Sequence, residues 1–136
     1  MSFVLDSSIT LAWIYADETT DAVTRVFELL RQEGALVPGL WRLEVANVLQ
    51  MGVHRARHDR TFRDAALAGL IEFPIQVDPE TDVRAWGATL ELAERYRLTL
   101  YDAAYLELAV RRNLPLATLD AELQAAAKAM KVKLLG

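Results

Sequence analysis

Five short, mainly apolar runs of three residues, the first four each followed by a stretch with helical spacing, constrain this chain more than any other feature. The runs are Phe3-Val4-Leu5, closed by Asp6; Ala35-Leu36-Val37, stopped by Pro38; Ile75-Gln76-Val77; Leu116-Ala117-Thr118; and Val132 to Leu134. Between them the spacing predicts helices from Ser7 or Ser8 to Tyr15, from a Thr19 or Thr20 cap to Gly34, and from Leu40 to about Arg57. Further helices are expected over Thr61 to Glu72, Thr81 to Arg97, Tyr101 to Arg112 and Ala121 to Met130. Trp41, Val45, Val48, Leu49 and Gly52 would form the buried stripe of the longest helix. Short apolar strands alternating with helices imply an α/β fold with a mainly parallel sheet. In such sheets ligands gather at the carboxyl ends of the strands.

A chain of 136 residues, 53% hydrophobic and 25% charged, is one compact domain over residues 1–136. With no cysteine, neither a disulfide framework nor a thiolate metal site is available, which fits a cytoplasmic protein. No basic segment precedes an apolar stretch at the N-terminus, so no signal peptide is expected, and no run is long enough to span a membrane. The net charge of -4 is the wrong sign for bulk attraction to nucleic acid. The stretch from Arg42 to Arg63 nevertheless holds Arg42, Arg55, Arg57, Arg60 and Arg63 against Glu44, Asp59 and Asp64. It reads either as a candidate phosphate-contacting patch or as a solvated helix face. His54 and His58 lie in the same stretch, where a surface or RNA-facing role is preferred to metal binding.

Four acids stand where strands end or apolar helix faces begin: Asp6, Glu44, Asp102 and Asp120. Each has a structural explanation when taken alone. Asp6 and Asp120 are placed to cap the helices that follow them, and Thr99-Leu100-Tyr101-Asp102 fits a capping pattern. Glu44 is harder to explain away, since it lies about 40–60° around the helix from Trp41 and Val48, at the border of the buried stripe. Asn47, one turn on, would either bond Glu44, contact a ligand or serve only structure. Brought together, four carboxylates would raise each other's pKa. Mg²⁺ or Mn²⁺ would relieve that repulsion, and an all-oxygen donor set suits such hard cations better than zinc. Ser8 and Thr118 lie beside Asp6 and Asp120 and could orient a carboxylate or water, or simply serve as helix-start and strand-end hydroxyls.

Other chemistries lack their signatures. There is no GxGxxG, no GxxxxGK[ST] and no nucleophile elbow. The acid after the first strand is followed by Ser7-Ser8 rather than a second Asp, which disfavours a phospho-aspartyl phosphatase.

Leu5-Asp6-Ser7-Ser8, Glu44-Val45-Ala46-Asn47, Leu98 to Tyr105 around Tyr101-Asp102-Ala103-Ala104, and Leu114 to Asp120 resemble, in order and spacing, the PIN domain. More narrowly they look like the VapC-type toxins of prokaryotic toxin–antitoxin pairs. The resemblance covers essentially the whole chain. It implies a three-layer α/β/α fold and a metal-dependent endoribonuclease cutting structured RNA, often transfer RNA. Asp6, Glu44, Asp102 and Asp120 would form the Mg²⁺ or Mn²⁺ pocket, with Ser8, Asn47 and Thr118 as accessory polar positions. A homodimer, an antitoxin laid across the active site and larger assemblies with that antitoxin are further implications. Arg42, Arg55, Arg57 and Arg60 are the candidate RNA or antitoxin contacts. Two rival roles remain at this point: a housekeeping RNA-processing nuclease, and a binding module working mainly through an antitoxin–repressor complex. The latter needs an exposed apolar groove, which Trp13, Trp41 or Trp86 would line unless each packs in the core.

Overall fold

The computed structural model describes residues 2–136. Strands β1 (Phe3–Leu5), β2 (Ala35–Val37), β3 (Ile75–Val77), β4 (Leu116–Ala117) and β5 (Leu134–Leu135) form one sheet in the order β3-β2-β1-β4-β5, every pairing parallel. Phe3, Val4 and Leu5 are wholly buried, so the central strand is covered on both faces, as helices packed on either side of a parallel sheet require. The architecture is the three-layer α/β/α arrangement expected. Both edge strands are short and partly exposed, which limits edge-to-edge pairing.

The chain order places β2 and β3 on one side of β1 and β4 and β5 on the other. The direction of winding therefore reverses between β1 and β4, and at such a reversal a crevice opens beyond the carboxyl ends of the strands. The register aligns Leu5 with Ala117, and the Asp6 amide donates to the Ala117 carbonyl at 3.0 Å. Asp6 and Thr118 thus lie side by side just beyond the paired ends of β1 and β4, both buried.

Eight α-helices surround the sheet among the described residues: α1 (Ser7–Ile14), α2 (Asp21–Glu33), α3 (Trp41–His54), α4 (Arg60–Ile71), α5 (Thr81–Arg84), α6 (Ala88–Tyr96), α7 (Leu100–Arg112) and α8 (Ala121–Ala129). None of them is long and apolar enough to cross a membrane. Helix α2 follows its sequence signals closely. Thr20 Oγ1 accepts from the Val23 amide, and Val23, Val26, Phe27 and Leu30 face the core. Gly34 ends it at φ 74°, where an added Cβ would lie 3.2 Å from the Pro74 carbonyl oxygen. Thr19 does not cap; its hydroxyl donates to the Ala12 carbonyl at 2.7 Å. Helix α7 is buried continuously from Ala103 to Ala109, which makes it the central helix of the fold.

Several expectations about elements and their buried faces are corrected. The segment Thr81 to Arg97 is two helices rather than one, because Gly87 takes φ -114° and ψ -107°, outside the helical region. Trp86, in that break, is 91% exposed and does not pack in the core. Helix α3 stops at His54, not Arg57, because Ala56 turns left-handed at φ 58° and His58 folds back onto Gly52. Tyr15 Oη and His58 Nε2 are 2.9 Å apart, so His58 is part of the packing rather than a free surface group. Val48 lies outside the buried stripe at 38% exposure. The last strand begins at Leu134, two residues later than its apolar run, and a 3₁₀ turn (Ala16–Glu18) carries no signal in the sequence pattern.

Trp41 and Trp13 do pack inside. The Trp41 indole N–H donates to Thr10 Oγ1 at 3.1 Å, and Trp13 stacks on Phe27 with ring centroids 4.6 Å apart.

Candidate active site

Asp6 is buried, 3% exposed, at the end of β1. Its position invites a capping role for α1, but its side chain makes no capping bond. Instead Oδ2 accepts from Thr118 Oγ1 at 2.6 Å and from Ser8 Oγ at 2.7 Å, while Ser7 Oγ reaches Oδ1 only at 3.5 Å. The same hydroxyls knit the strand ends together. Ser8 Oγ accepts from the Leu119 amide, and Thr118 Oγ1 from the Asp120 amide, both at 3.0 Å. Burial pushes the Asp6 carboxyl above its usual range, against the hydroxyl donors, and the charge of Asp120 adds to that rise.

Glu44 stands on the first turn of α3, half-buried. Its Oε1 accepts from the phenol of Tyr105 at 2.5 Å. Burial also raises this carboxyl, opposed by the Tyr105 bond and reinforced by the charges of Asp6 and Asp102. Asp102 lies in the first turn of α7, where Thr99 Oγ1 caps its amide at 3.1 Å. Burial raises it too, with Asp120 and Asp6 adding their repulsion. Asp120 is a true N-cap, its Oδ1 accepting from the Leu123 amide at 2.8 Å.

The four acids therefore feel one another at a single edge of the sheet, and their partners share a property. Every hydrogen-bond donor to them is neutral: a hydroxyl, a phenol or a backbone amide. Among the described residues no Lys, Arg or His forms an ion pair with any of the four. Elsewhere the fold neutralises buried acids with arginine. Arg111 holds Asp78 at 2.7 Å and Glu107 at 2.7 Å, and its charge and hydrogen bonds overcome burial to keep the Asp78 carboxyl below its usual value. The two acidic clusters are electrostatic opposites, one closed by cations and one left open.

An all-oxygen donor set with uncancelled charge fits Mg²⁺ or Mn²⁺. The side chains are not gathered around a point, however: among the described residues no three His, Cys, Asp or Glu side chains stand close enough together to hold a metal ion. The physical reason is visible in their partners. Each bond engages one oxygen of its carboxylate, Asp6 Oδ2 by hydroxyls, Glu44 Oε1 by a phenol and Asp120 Oδ1 by a helix amide, while mutual repulsion favours separation of the side chains. Ligation would need rotation about the side-chain bonds of some of these carboxylates.

Ser8 and Thr118 lie directly on Asp6. Asn47 is exposed and, among the described residues, its side chain has no hydrogen-bond partner, Glu44 included. The arginine patch is dispersed. Arg42 and Arg55 are separated by most of α3, about 20 Å along its axis. Arg42, Arg55 and Arg60 are exposed and form no ion pair among the described residues, whereas Arg57 bonds Glu18 at 2.7 Å and Asp17 at 3.3 Å and lies over the Tyr15 ring at 3.6 Å. Sequence reasoning missed Tyr105, Ser7 and Gln124, whose amide donates to the Thr118 carbonyl at 2.8 Å. Tyr105 carried one available signal, its place three residues after Asp102 on the same helical face.

A three-layer parallel α/β domain with carboxylates at its strand-order reversal defines a class of acidic-site domains. Residues 3–129 match the PIN domain family, and the chain belongs to it. No curated protein sequence matches the chain significantly. Among solved structures it is similar to FitAcB from Neisseria gonorrhoeae, with a TM-score of 0.69 and 14% identity over 100% of this chain and 97% of that one. It is similar to VapBC2 from Rickettsia felis, bound to a DNA fragment from its promoter, with a TM-score of 0.62 and 13% identity over 98% and 97%. It is also similar to the sarcin-ricin loop cleaving toxin VapC20 from Mycobacterium tuberculosis, with a TM-score of 0.61 and 16% identity over 93% and 95%. At these identities the likeness speaks for the fold.

Proposed function

We propose that this PIN domain is a divalent-metal-dependent endoribonuclease and the toxin of a toxin–antitoxin pair, acting in the cytoplasm as a homodimer. The observation that carries the reading is the open acidic cluster: Asp6, Glu44 and Asp102 are raised by burial and mutual repulsion, yet all their donors are neutral. Such an arrangement costs stability unless a cation from outside completes it. Asp6, Glu44, Asp102 and Asp120 are the residues that would hold Mg²⁺ or Mn²⁺, which when bound supplies charge neutralisation and an activated water for phosphodiester hydrolysis. Ser8 and Thr118 keep the Asp6 carboxylate oriented. The amide end of α7, at Asp102, offers a positive dipole to an approaching phosphate. Arg42, Arg55 and Arg60, which form no ion pair among the described residues, are the proposed contacts for the RNA backbone or antitoxin; Arg57 is already engaged. A structured RNA, with transfer RNA the leading candidate, is the proposed substrate class.

The antitoxin part of the proposal draws on the surface around α4. That helix buries only Leu70, and Ile71 stands 78% exposed. A groove of about 270 Å³ runs along one side, lined by Trp41, Val45, Leu67 and Ile71 among others, with Arg42 the one charged residue in its lining. The apolar face of an amphipathic antitoxin helix, carrying an acid opposite Arg42, is the occupant proposed. This groove also supports the second role, a toxin–antitoxin complex that acts as a repressor, and the two roles are compatible.

The test is cleavage of total small RNA by purified protein with Mg²⁺, with Mn²⁺ and with EDTA, alongside Asp6→Asn. Discrete fragments that require metal and disappear in the variant are expected. Equal cleavage by wild type and variant, in preparations cleared of other nucleases, would refute the assignment.

A further inference from the structure

Tyr105 is wholly buried on α7, yet its phenol is spent on a residue of a different helix 61 positions earlier in the chain, Glu44 of α3. At 2.5 Å this is a short hydroxyl–carboxylate bond of the charge-assisted kind. It links the two helices that carry Glu44 and Asp102, so it couples two parts of the acidic cluster that the sheet does not join directly. Asp6 is already anchored by Ser8 and Thr118, and Asp120 by the Leu123 amide. Glu44 has the longest side chain of the four, and besides Tyr105 only the Ser7 hydroxyl, at the start of α1, acts on it as a side-chain donor among the described residues.

We propose that Tyr105 is a positioning residue that pre-orients Glu44 for the divalent cation. The inference rests on the metal-dependent reading above and names a residue within it. The chemistry of the donor is the decisive point. A Lys or Arg in this place would orient Glu44 equally well but would cancel its charge, as Arg111 does for Asp78 and Glu107. A phenol fixes Oε1 and leaves the carboxylate its full negative charge. Burial supports the assignment, because the wholly buried ring lets the hydroxyl occupy one place only. Holding Glu44 before the cation arrives removes rotamer freedom that binding would otherwise have to freeze.

Tyr105→Phe tests this with the ring volume retained. Mn²⁺ binding to the purified protein is measured by the loss of free-ion EPR signal, with thermal melts in EDTA and cleavage rates across metal concentrations. The expected result is Mn²⁺ affinity about 10-fold weaker or more, in the range found when a ligand's hydrogen-bond partner is removed. Cleavage should recover to within a few-fold of wild type at saturating Mn²⁺. Mn²⁺ affinity unchanged within twofold, with only a lower melting temperature, overturns the proposal and makes Tyr105 merely structural. The same substitution in a Glu44→Gln background separates the routes. No further weakening there shows action through Glu44; an equal loss in both backgrounds overturns it. Wild-type protein that binds no Mn²⁺ would instead remove the metal reading itself, an outcome distinct from a Tyr105→Phe variant that binds normally.

Discussion

Replacing Thr118 by Val removes one hydroxyl, keeps the side-chain shape and leaves no cavity, so its effect isolates what that oxygen does for Asp6. The hydroxyl donates to the buried Asp6 carboxylate at 2.6 Å and accepts from the Asp120 amide at 3.0 Å. Losing a bond to a charged group costs about 1.5–3 kcal/mol and losing the neutral one about 0.5–1.5 kcal/mol. The expected loss is therefore about 2–4 kcal/mol, survivable for a domain with the usual ~5–15 kcal/mol of stability. It should also depend on pH, and the sign follows from Asp6. Burial holds its folded pKa above the ordinary 3.8, so folding disfavours the charged form and wild-type stability falls as pH rises from 3.8 through the folded value. Thr118 opposes that rise. Without its donor the folded pKa climbs further, so the penalty is greatest at neutral pH and shrinks once Asp6 is protonated. Urea denaturation of wild type and variant in EDTA, from pH 8 down to pH 4, measures both quantities. A loss below 1 kcal/mol, or one that stays constant across that range, would show that the hydroxyl does not bear on the Asp6 charge.

Asp102→Asn removes a carboxylate raised by burial and by its neighbours Asp120 and Asp6, so the variant should melt higher than wild type in EDTA at neutral pH while losing metal-dependent cleavage; a lower melting temperature contradicts the open-cluster account. The difference should narrow as pH falls through the raised folded value and vanish below 3.8, where the wild-type carboxyl is neutral in both states. Mg²⁺ or Mn²⁺ should raise the wild-type melting temperature in proportion to the logarithm of its concentration and leave Asp6→Asn nearly unmoved, which differential scanning fluorimetry reads directly. Arg111→Met strands the buried Asp78 and Glu107 and should cost about 3–5 kcal/mol in urea denaturation without altering Mn²⁺ affinity. Ile71→Glu, at an exposed position of α4, should change stability by less than about 0.5 kcal/mol. It should still abolish neutralisation by the antitoxin in a co-expression growth assay; intact neutralisation would move the antitoxin seat elsewhere.

The sequence by itself determined most of the local elements and singled out four acidic positions. Hydrophobic spacing in α2, the Thr20 cap and Gly34 are governed by interactions within a few residues, so pattern alone located that helix correctly. The parallel sheet was equally legible, because a fully buried strand such as Phe3–Leu5 must be apolar on both faces and leaves no alternation. Where tertiary contacts outweighed local preference, the pattern misled. The 81–97 segment has helical spacing throughout, yet the backbone breaks at Gly87 and leaves Trp86 in solvent. Helix α3 ends early because His58 seats against Gly52 and Tyr15, a contact no short window contains. For the acidic positions, the sequence named all four residues but not the difference between them. Asp6 and Asp120 both looked like caps, and only the structure separates them: Asp120 caps α8, while Asp6 is held by hydroxyls from α1 and the end of β4. The Tyr105–Glu44 bond and the lack, among the described residues, of any ion pair to the cluster were likewise decided by the tertiary structure. Pairing across 61 or 112 residues depends on how the layers close on one another, and local spacing carries no record of it.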